Sequence, residues 1–383
     1  MMIRSTARWV AGAALAALVA VPASLRAQGN LSVQGLGYPP GQLSTRSAGT
    51  GGALAGVDPL TPLNPASILD FAVGTAYMQL APEFRKVTAN GVTDNTTTQR
   101  FPVFIGAMPF GDRLMIAISS STLLDRTWQT TQPASQVIGT DTVNFKSSTT
   151  SDGAVNDIRL AAGYAWTSWL RVGLGLHAMS GRDLVTVRRI FEDTLLYGNT
   201  TEPRTTNYTG NALSVGAEIF QRDLGFITFE ARRGGKLTQS AGDTVIASGH
   251  IPDHFGASVA FTGISGTTIA ARTALDKWGS LGSFDALSGA AHDSWDSGVG
   301  AEVAGPRLGG ISSVWRVGGR WRDLPFPADG ARVREGSLSA GLGILLAQGH
   351  AALDLGAIRA SRTAGAGISE SAWTLSIGLT VRP

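Results

Sequence analysis

The sequence predicts an all-β fold, a transmembrane antiparallel β-barrel of about 14 strands. Three observations carry the prediction. Charged residues make up 15% of the chain, against about 25% in ordinary soluble domains. After residue 27 no apolar run reaches the length of about 20 residues that a membrane helix needs. Segment after segment also alternates apolar side chains with small or polar ones at period two, as a strand with two unlike faces does. Lipid cannot hydrogen-bond an open sheet edge, so strands that cross a membrane must close into a cylinder.

Residues 1–27 read as an export signal peptide. Arg4 and Arg8 form a positive start, Val10 to Val21 is an apolar run, and Ala27 is a small residue at the expected cleavage point. The run is about a dozen residues, too short for an anchor. The leader carries Arg4, Arg8 and Arg26 and no acid, so removing it takes the 31 basic residues to 28, equal to the 28 acidic ones. The rest has no basic excess, and no nucleic-acid partner is expected. The absence of cysteine excludes disulfides, thiol catalysis and cysteine-held metal. No cofactor is expected.

The strands follow in order. In "DIRLAAGYAWT", Ile158, Leu160, Ala162, Tyr164 and Trp166 share one face, and Arg159, Ala161, Gly163 and Ala165 the other. "WLRVGLGLHA" sets Leu170, Val172, Leu174 and Leu176 against Arg171, Gly173, Gly175 and His177. "SLSAGLGILL" and "WTLSIGLTVR" repeat the pattern at Leu338–Ile344 and Trp373–Val381. Strands are expected near 71–88, 98–108, 114–130, 154–166, 169–190, 205–220, 224–238, 252–262, 267–278, 294–304, 311–323, 332–346, 349–362 and 371–382. Brief linkers ("PFGD", Thr167-Ser168, "QRD", "GISG", "QG") alternate with long polar stretches at 131–153, 191–204, 239–251 and 279–293. Short periplasmic turns and longer external loops follow that rule. A soluble sandwich or propeller would also alternate, but its outer face would be more hydrophilic than these faces of Gly, Ala and Ser. Trp166, Trp169, Trp278, Trp315, Trp321 and Trp373 stand near strand ends, where an interfacial girdle would place them.

Between the leader and the first strand lies "SAGTGGALAGVDPLTPLNPASI" (47–68). It is not a phosphate loop: Leu54 stands where GxGxxG needs glycine, and no Walker lysine follows. Gly49, Gly51, Gly52 and Ala53, then Asp58, then Asn64-Pro65-Ala66 resemble the N-terminal signature of the long-chain fatty acid transporter (FadL-like) family and its PorV-type relatives. "GVGAEV", "RVGGRWRDLPF", "REGSLSAGLGI" and "HAALDLGAIRASR" resemble the last four strands of that group. The resemblance covers about a third of the chain and implies an N-terminal plug inside the lumen. Residues 28–70 are then the plug and 71–383 the barrel. Irregular backbone is tolerated at membrane depth where protein or a water-filled cavity surrounds it. Pro59, Pro62 and Pro65 stiffen it without needing donors.

The resemblance further implies transport of hydrophobic small molecules, fatty-acid-like compounds, through a plugged barrel among the lipids of the outer membrane of a diderm bacterium. The alternative it implies is a component of protein secretion that binds machinery or exported proteins through its loops. Alternation directs Arg159, Arg171, Glu218, Arg272, Glu302, Arg316, Arg320 and Asp354 inward. Most are expected to form a structural network that holds the plug, with Glu302 and Arg316 close enough to pair. The functional reading of such an arginine is recognition of a carboxylate. Enzymatic activity is not expected, since no GxSxG occurs and the five histidines stand apart. His250, Asp253 and His254 are read as an ordinary solvated loop rather than a metal site.

Overall fold

The computed structural model describes Leu31 and residues 35–89, 92–138, 140–192, 196–221, 224–282, 284, 291–307, 310–328, 330–365 and 368–382; the leader assigned to residues 1–27 lies outside them. Seventeen strand segments form one sheet. They are β1 (Thr75–Ala89), β2 (Val92–Arg100), β3 (Val103–Phe110), β4 (Leu114–Asp125), β5 (Trp128–Ile138), β6 (Asp141–Ala165), β7 (Leu170–Phe191), β8 (Thr200–Gln221) and β9 (Gly225–Ala241), followed by β10 (Thr244–His250), β11 (His254–Ile264), β12 (Thr267–Asp276), β13 (Ser294–Ala304), β14 (Ser313–Ala328), β15 (Ala331–Leu346), β16 (Ala351–Ala364) and β17 (Ile368–Val381). β2 continues into β3, β4 into β5 and β10 into β11 across short kinks, so the described residues make a closed barrel of 14 antiparallel strands. Closure is the pairing of β1 with β17, from Ala76 opposite Val381 to Ala89 opposite Ile368.

The alternation read from the sequence separates the two faces. On β17, Trp373, Leu375, Ile377, Leu379 and Val381 are 38–50% exposed, while Thr380 and Ser376 are buried. On β6, Ile158, Leu160 and Tyr164 face out, as does Trp166 just past its end, and Asp157, Arg159 and Ala161 are 1% exposed. Such a continuous apolar exterior suits lipid, since leaving it in water costs about 25 cal/mol per Å². Among the described residues no helix is long and apolar enough to cross a membrane. Trp166, Trp169, Trp315, Trp321 and Trp373 are all at least half exposed on this exterior.

Several expectations change. The stretches 131–153, 191–204 and 239–251 are not long loops: β5 pairs with the start of β6, β7 runs to Phe191 and β8 from Thr200, and β9 meets β10 across Gly242-Asp243. β6 is 25 residues long and β7 and β8 are 22 each, about twice what the membrane requires. These stretches are polar, yet the first carries Thr131, Thr142, Thr149 and Thr150 on its strands, and a branched side chain suits a pleated strand. Their prolines stand at free edges: Pro133 on β5, which pairs with β6 alone among the described residues, and Pro203 on β8 before its pairing with β9 begins at Asn207. The first strand begins at Thr75 rather than 71, because Ser67–Phe71 form a 3₁₀ turn and Ala72 takes a left-handed conformation (φ 58°). Trp278 does not join the exterior girdle. It is 2% exposed in a 3₁₀ turn, Trp278–Leu281, packed in an apolar cluster with Leu36, Leu281 and Phe326 at the long-strand end of the lumen.

Candidate functional site in the filled lumen

Residues 35–71, ahead of β1, lie inside the cylinder. Tyr38 bridges to Asp125 at the top of β4. The amide of Thr45 donates to the Tyr77 hydroxyl of β1 at 2.9 Å. Gly49 packs on Gly341 of β15, Thr50 and Gly51 on Gly300, Gly318 and Gly319 of β13 and β14, Gly56 on Thr228 and Ser258 of β9 and β11, and Pro65 on Gly173 of β7. These contacts run round the wall and descend from the long-strand end to the short-turn end. The glycines of the inward face have a specific cause. A methyl group on Gly318 would sit 2.1 Å from the Thr50 carbonyl carbon, and one on Gly173 would sit 2.3 Å from that of Pro65. Backbone lies on backbone there, and Gly51 adopts φ +66° to do so.

Inside the segment the predicted motif residues organise one another. A five-residue helix, α1 (Thr45–Gly49), is capped by Ser44, whose hydroxyl accepts from the Ser47 amide at 3.0 Å. Asp58, wholly buried, accepts from the hydroxyls of Ser44, of Ser47 at 2.7 Å and of Thr61 at 3.1 Å. The Asn64 side chain donates to the Gly56 carbonyl at 2.8 Å and accepts from the Ala66 amide at 2.9 Å, closing the turn that seats Pro65. Gly49 accepts from Ser339 of β15 at 3.1 Å, and Gly52 sits at φ +80° beside Leu43.

All eight inward candidates face the lumen, and seven have charged partners. Arg46 of α1 grips Glu302 through two bonds (2.7 and 2.9 Å), Glu302 meets Arg316 at 2.6 Å, and Arg316 meets Asp354 at 2.5 Å. Arg171 joins Asp70 at the end of the segment to Glu218. Arg320 bonds Asp296 at 2.5 Å, and Arg272 bonds Glu230 at 3.0 Å. The eighth, Arg159, is 1% exposed and none of its three guanidinium nitrogens has a hydrogen-bond partner among the described residues.

Two clusters were missed. Around the Tyr38 ring stand four guanidiniums, those of Arg85, Arg100, Arg322 and Arg362, 4.7–5.7 Å from its centroid. Glu83, Asp125, Glu335 and Glu370 neutralise them. Parity could have found most of these, since Arg322 shares its face with Arg316 and Arg320. Elsewhere Asp157 Oδ1 meets His177 Nδ1 at 2.7 Å, and His177 Nε2 meets Ser214 Oγ at 2.8 Å. These three stand on β6, β7 and β8, and no local motif signals them. His254 also differs from expectation: it begins β11, is 6% exposed and bonds Asp276 at 2.8 Å, whereas His250 is part-exposed. Among the described residues no group of three side chains could hold a metal ion.

These features define a membrane-type β-barrel whose own N-terminal segment fills its lumen. The fold is shared with solved structures. The chain is similar over 90% of its length, and 99% of the other, to a FadL homologue of Pseudomonas aeruginosa (11% identity, TM-score 0.61). It is similar to the toluene transporter TbuX of Ralstonia pickettii (14% identity, 92% and 100% covered, TM-score 0.59) and to the monoaromatic hydrocarbon channel CymD (14%, 92% and 98%, 0.57). At these identities the likeness establishes the fold. No family model matches the sequence and no curated protein does.

Proposed function

We propose that the chain is an outer-membrane channel for small hydrophobic molecules, exported by residues 1–27, plugged by residues 28–70 and walled by residues 71–383. The observation that carries this reading is a break in the wall. The β3–β4 ladder ends at Val103 opposite Ser121, where Pro102 has no amide to continue it. Above that point β2 pairs with β1 alone and β5 with β6 alone among the described residues. The inner side of the break is covered by Tyr38, whose amide and carbonyl bond Asp125 at 2.8 Å each. Arg100 of β2 reaches across to Asp125 at 2.5 Å.

Behind the break lies a cavity of about 80 Å³ lined by Tyr38, Leu43, Arg100, Pro102, Ile358 and Ser376, among others. A pocket that accepts benzene measures about 150 Å³. A ring-sized solute therefore enters only as the Tyr38 strap withdraws, and the same motion uncovers the break. The apolar cluster at the mouth favours greasy solutes, and the ion pairs below it hold the rest of the segment against free flow of water. Toluene and monoaromatic hydrocarbons, named for two of the similar channels, are of the size this path would pass.

The test is uptake of radiolabelled toluene and of a medium-chain fatty acid into lipid vesicles carrying the purified chain. Entry faster than into empty vesicles, and saturable, is the expected outcome; rates equal to empty vesicles would overturn the reading.

A further inference from the structure

We propose that Asp157, His177 and Ser214 form a hydrolytic site for carboxylic esters inside the lumen. The hydrogen bonds run in the order that activates a serine: the carboxylate accepts from Nδ1–H of His177, which leaves Nε2 free to take the proton of Ser214 Oγ. Asp157 is held as an anion from its other side, since its Oδ2 accepts from Gln42 at 3.1 Å and from Arg232 at 3.2 Å. All three residues are at most 6% exposed, so the relay is shielded from bulk water.

A second, independent observation marks the place as a site. Arg159 lies directly opposite His177 in the β6–β7 register, buried and without a hydrogen-bond partner among the described residues. Both Arg159 and Ser214 crowd the same bare position. A methyl group on Gly175 would stand 2.4 Å from Ser214 Oγ, 3.3 Å from Arg159 Cδ and 3.3 Å from His177 Nε2. The stem of Arg159 thus runs past the same bare position as the nucleophile, and its guanidinium is the cation we assign to the negative charge that would develop on a carbonyl oxygen. A purely structural network would have spent that cation on a carboxylate, as the other seven inward charges are spent.

The chemistry balances with water as co-reactant. Ser214 Oγ attacks the ester carbonyl as its proton passes to His177 Nε2, and Arg159 stabilises the oxyanion. The carbon–oxygen bond to the alcohol breaks, and the alcohol leaves with the proton from His177. Water, deprotonated by His177, then attacks the acyl-serine and releases the acid and free Ser214. Asp157 is the positioning residue that fixes the tautomer. Access depends on the N-terminal segment. Gln42 covers Asp157 and takes a strained left-handed conformation (φ 54°), and a void of about 30 Å³ bounded by Gln42, Leu63 and Arg232 adjoins it. The inference rests on the reading of the lumen as a path for hydrophobic compounds.

The test uses the full chain, purified in detergent and reconstituted in vesicles, with a fluorophosphonate probe and p-nitrophenyl esters of short and medium acids. Peptide mass spectrometry is expected to find the adduct on Ser214. Ser214→Ala removes the adduct and lowers turnover at least about 10³-fold. Asp157→Asn lowers kcat by about 10⁴-fold with KM unchanged, a split that loss of packing would not give. Arg159→Gln lowers kcat by about 10²-fold, and Gln42→Ala, which leaves Arg232 on Asp157 Oδ2, speeds labelling of Ser214 by uncovering the site. Absence of an adduct on Ser214 in both the native chain and folded Gln42→Ala would overturn the proposal, as would turnover that survives Ser214→Ala. Uptake of a non-hydrolysable ether in the same vesicles separates the two readings: its loss with ester cleavage intact strikes transport and leaves the hydrolytic site standing.

Discussion

At Gly318 the wall omits a side chain because the Thr50 carbonyl occupies its place. Gly318→Val must therefore lift the N-terminal segment or bend β14. Overpacking of this kind costs about 1–3 kcal/mol, and limited proteolysis should cleave the chain between residues 35 and 71 where the native protein resists. Glu302 shows the same logic in charge. It is shared by Arg46 of the segment and Arg316 of the wall, and losing one partner of a buried ion pair costs about 3–5 kcal/mol. Glu302→Gln should lower the unfolding midpoint in denaturant, whereas Arg46→Met with Glu302→Leu should recover part of the loss because no charge is then left behind on that side. Asp58→Ala strands the buried hydroxyl protons of Ser44 and Ser47, each worth about 1–3 kcal/mol when left unsatisfied, while Thr61 keeps Ser47 Oγ at 2.9 Å. The expected result is a loosened segment inside an intact barrel, visible as faster amide exchange at Ser44–Thr61 than in β14 or β15.

The strands and the segment divide the work between them. The strands close without the segment, since their hydrogen bonds run from strand to strand and their apolar side chains point outward, away from it. Deleting residues 47–68 should therefore leave a heat-modifiable barrel on electrophoresis while opening ion conductance in a planar bilayer; silent bilayers would show that these residues do not seal the lumen. Strand number and facing were legible because period two survives in Leu170–His177 and Trp373–Val381 without tertiary help. The polar extensions at 131–153 and 239–251 were not, because polarity suggested loops while cross-strand pairing favoured strands. Trp278 was misplaced for a related reason: position beside a strand end does not reveal that a 3₁₀ turn folds the ring into the mouth.

The whole molecule joins a greasy outside to a packed and mostly neutralised inside. The inward charges could be read from parity, and so could the pairing of Glu302 with Arg316, because neighbouring strands in register bring them level. Parity reaches most of the arginines of the Tyr38 cage, but not their gathering round one ring, nor the Asp157–His177–Ser214 relay. Each gathers residues whose proximity depends on barrel closure and on the path of the segment. The break between β2 and β5 starts at Pro102, whose lack of an amide is legible in the sequence. That β2 and β5 each then pair on one side alone among the described residues shows only in the closed barrel.

The claim that solutes pass by withdrawal of the Tyr38 strap from that break is open to direct test. The chain has no cysteine, so Tyr38→Cys with Asp125→Cys makes a single pair. An antiparallel pair of this hydrogen-bonded kind holds its Cα atoms about 5.5 Å apart, within disulfide reach. Uptake of toluene into vesicles should stop when this variant is oxidised and return when it is reduced. Equal uptake in the two states would contradict the mechanism.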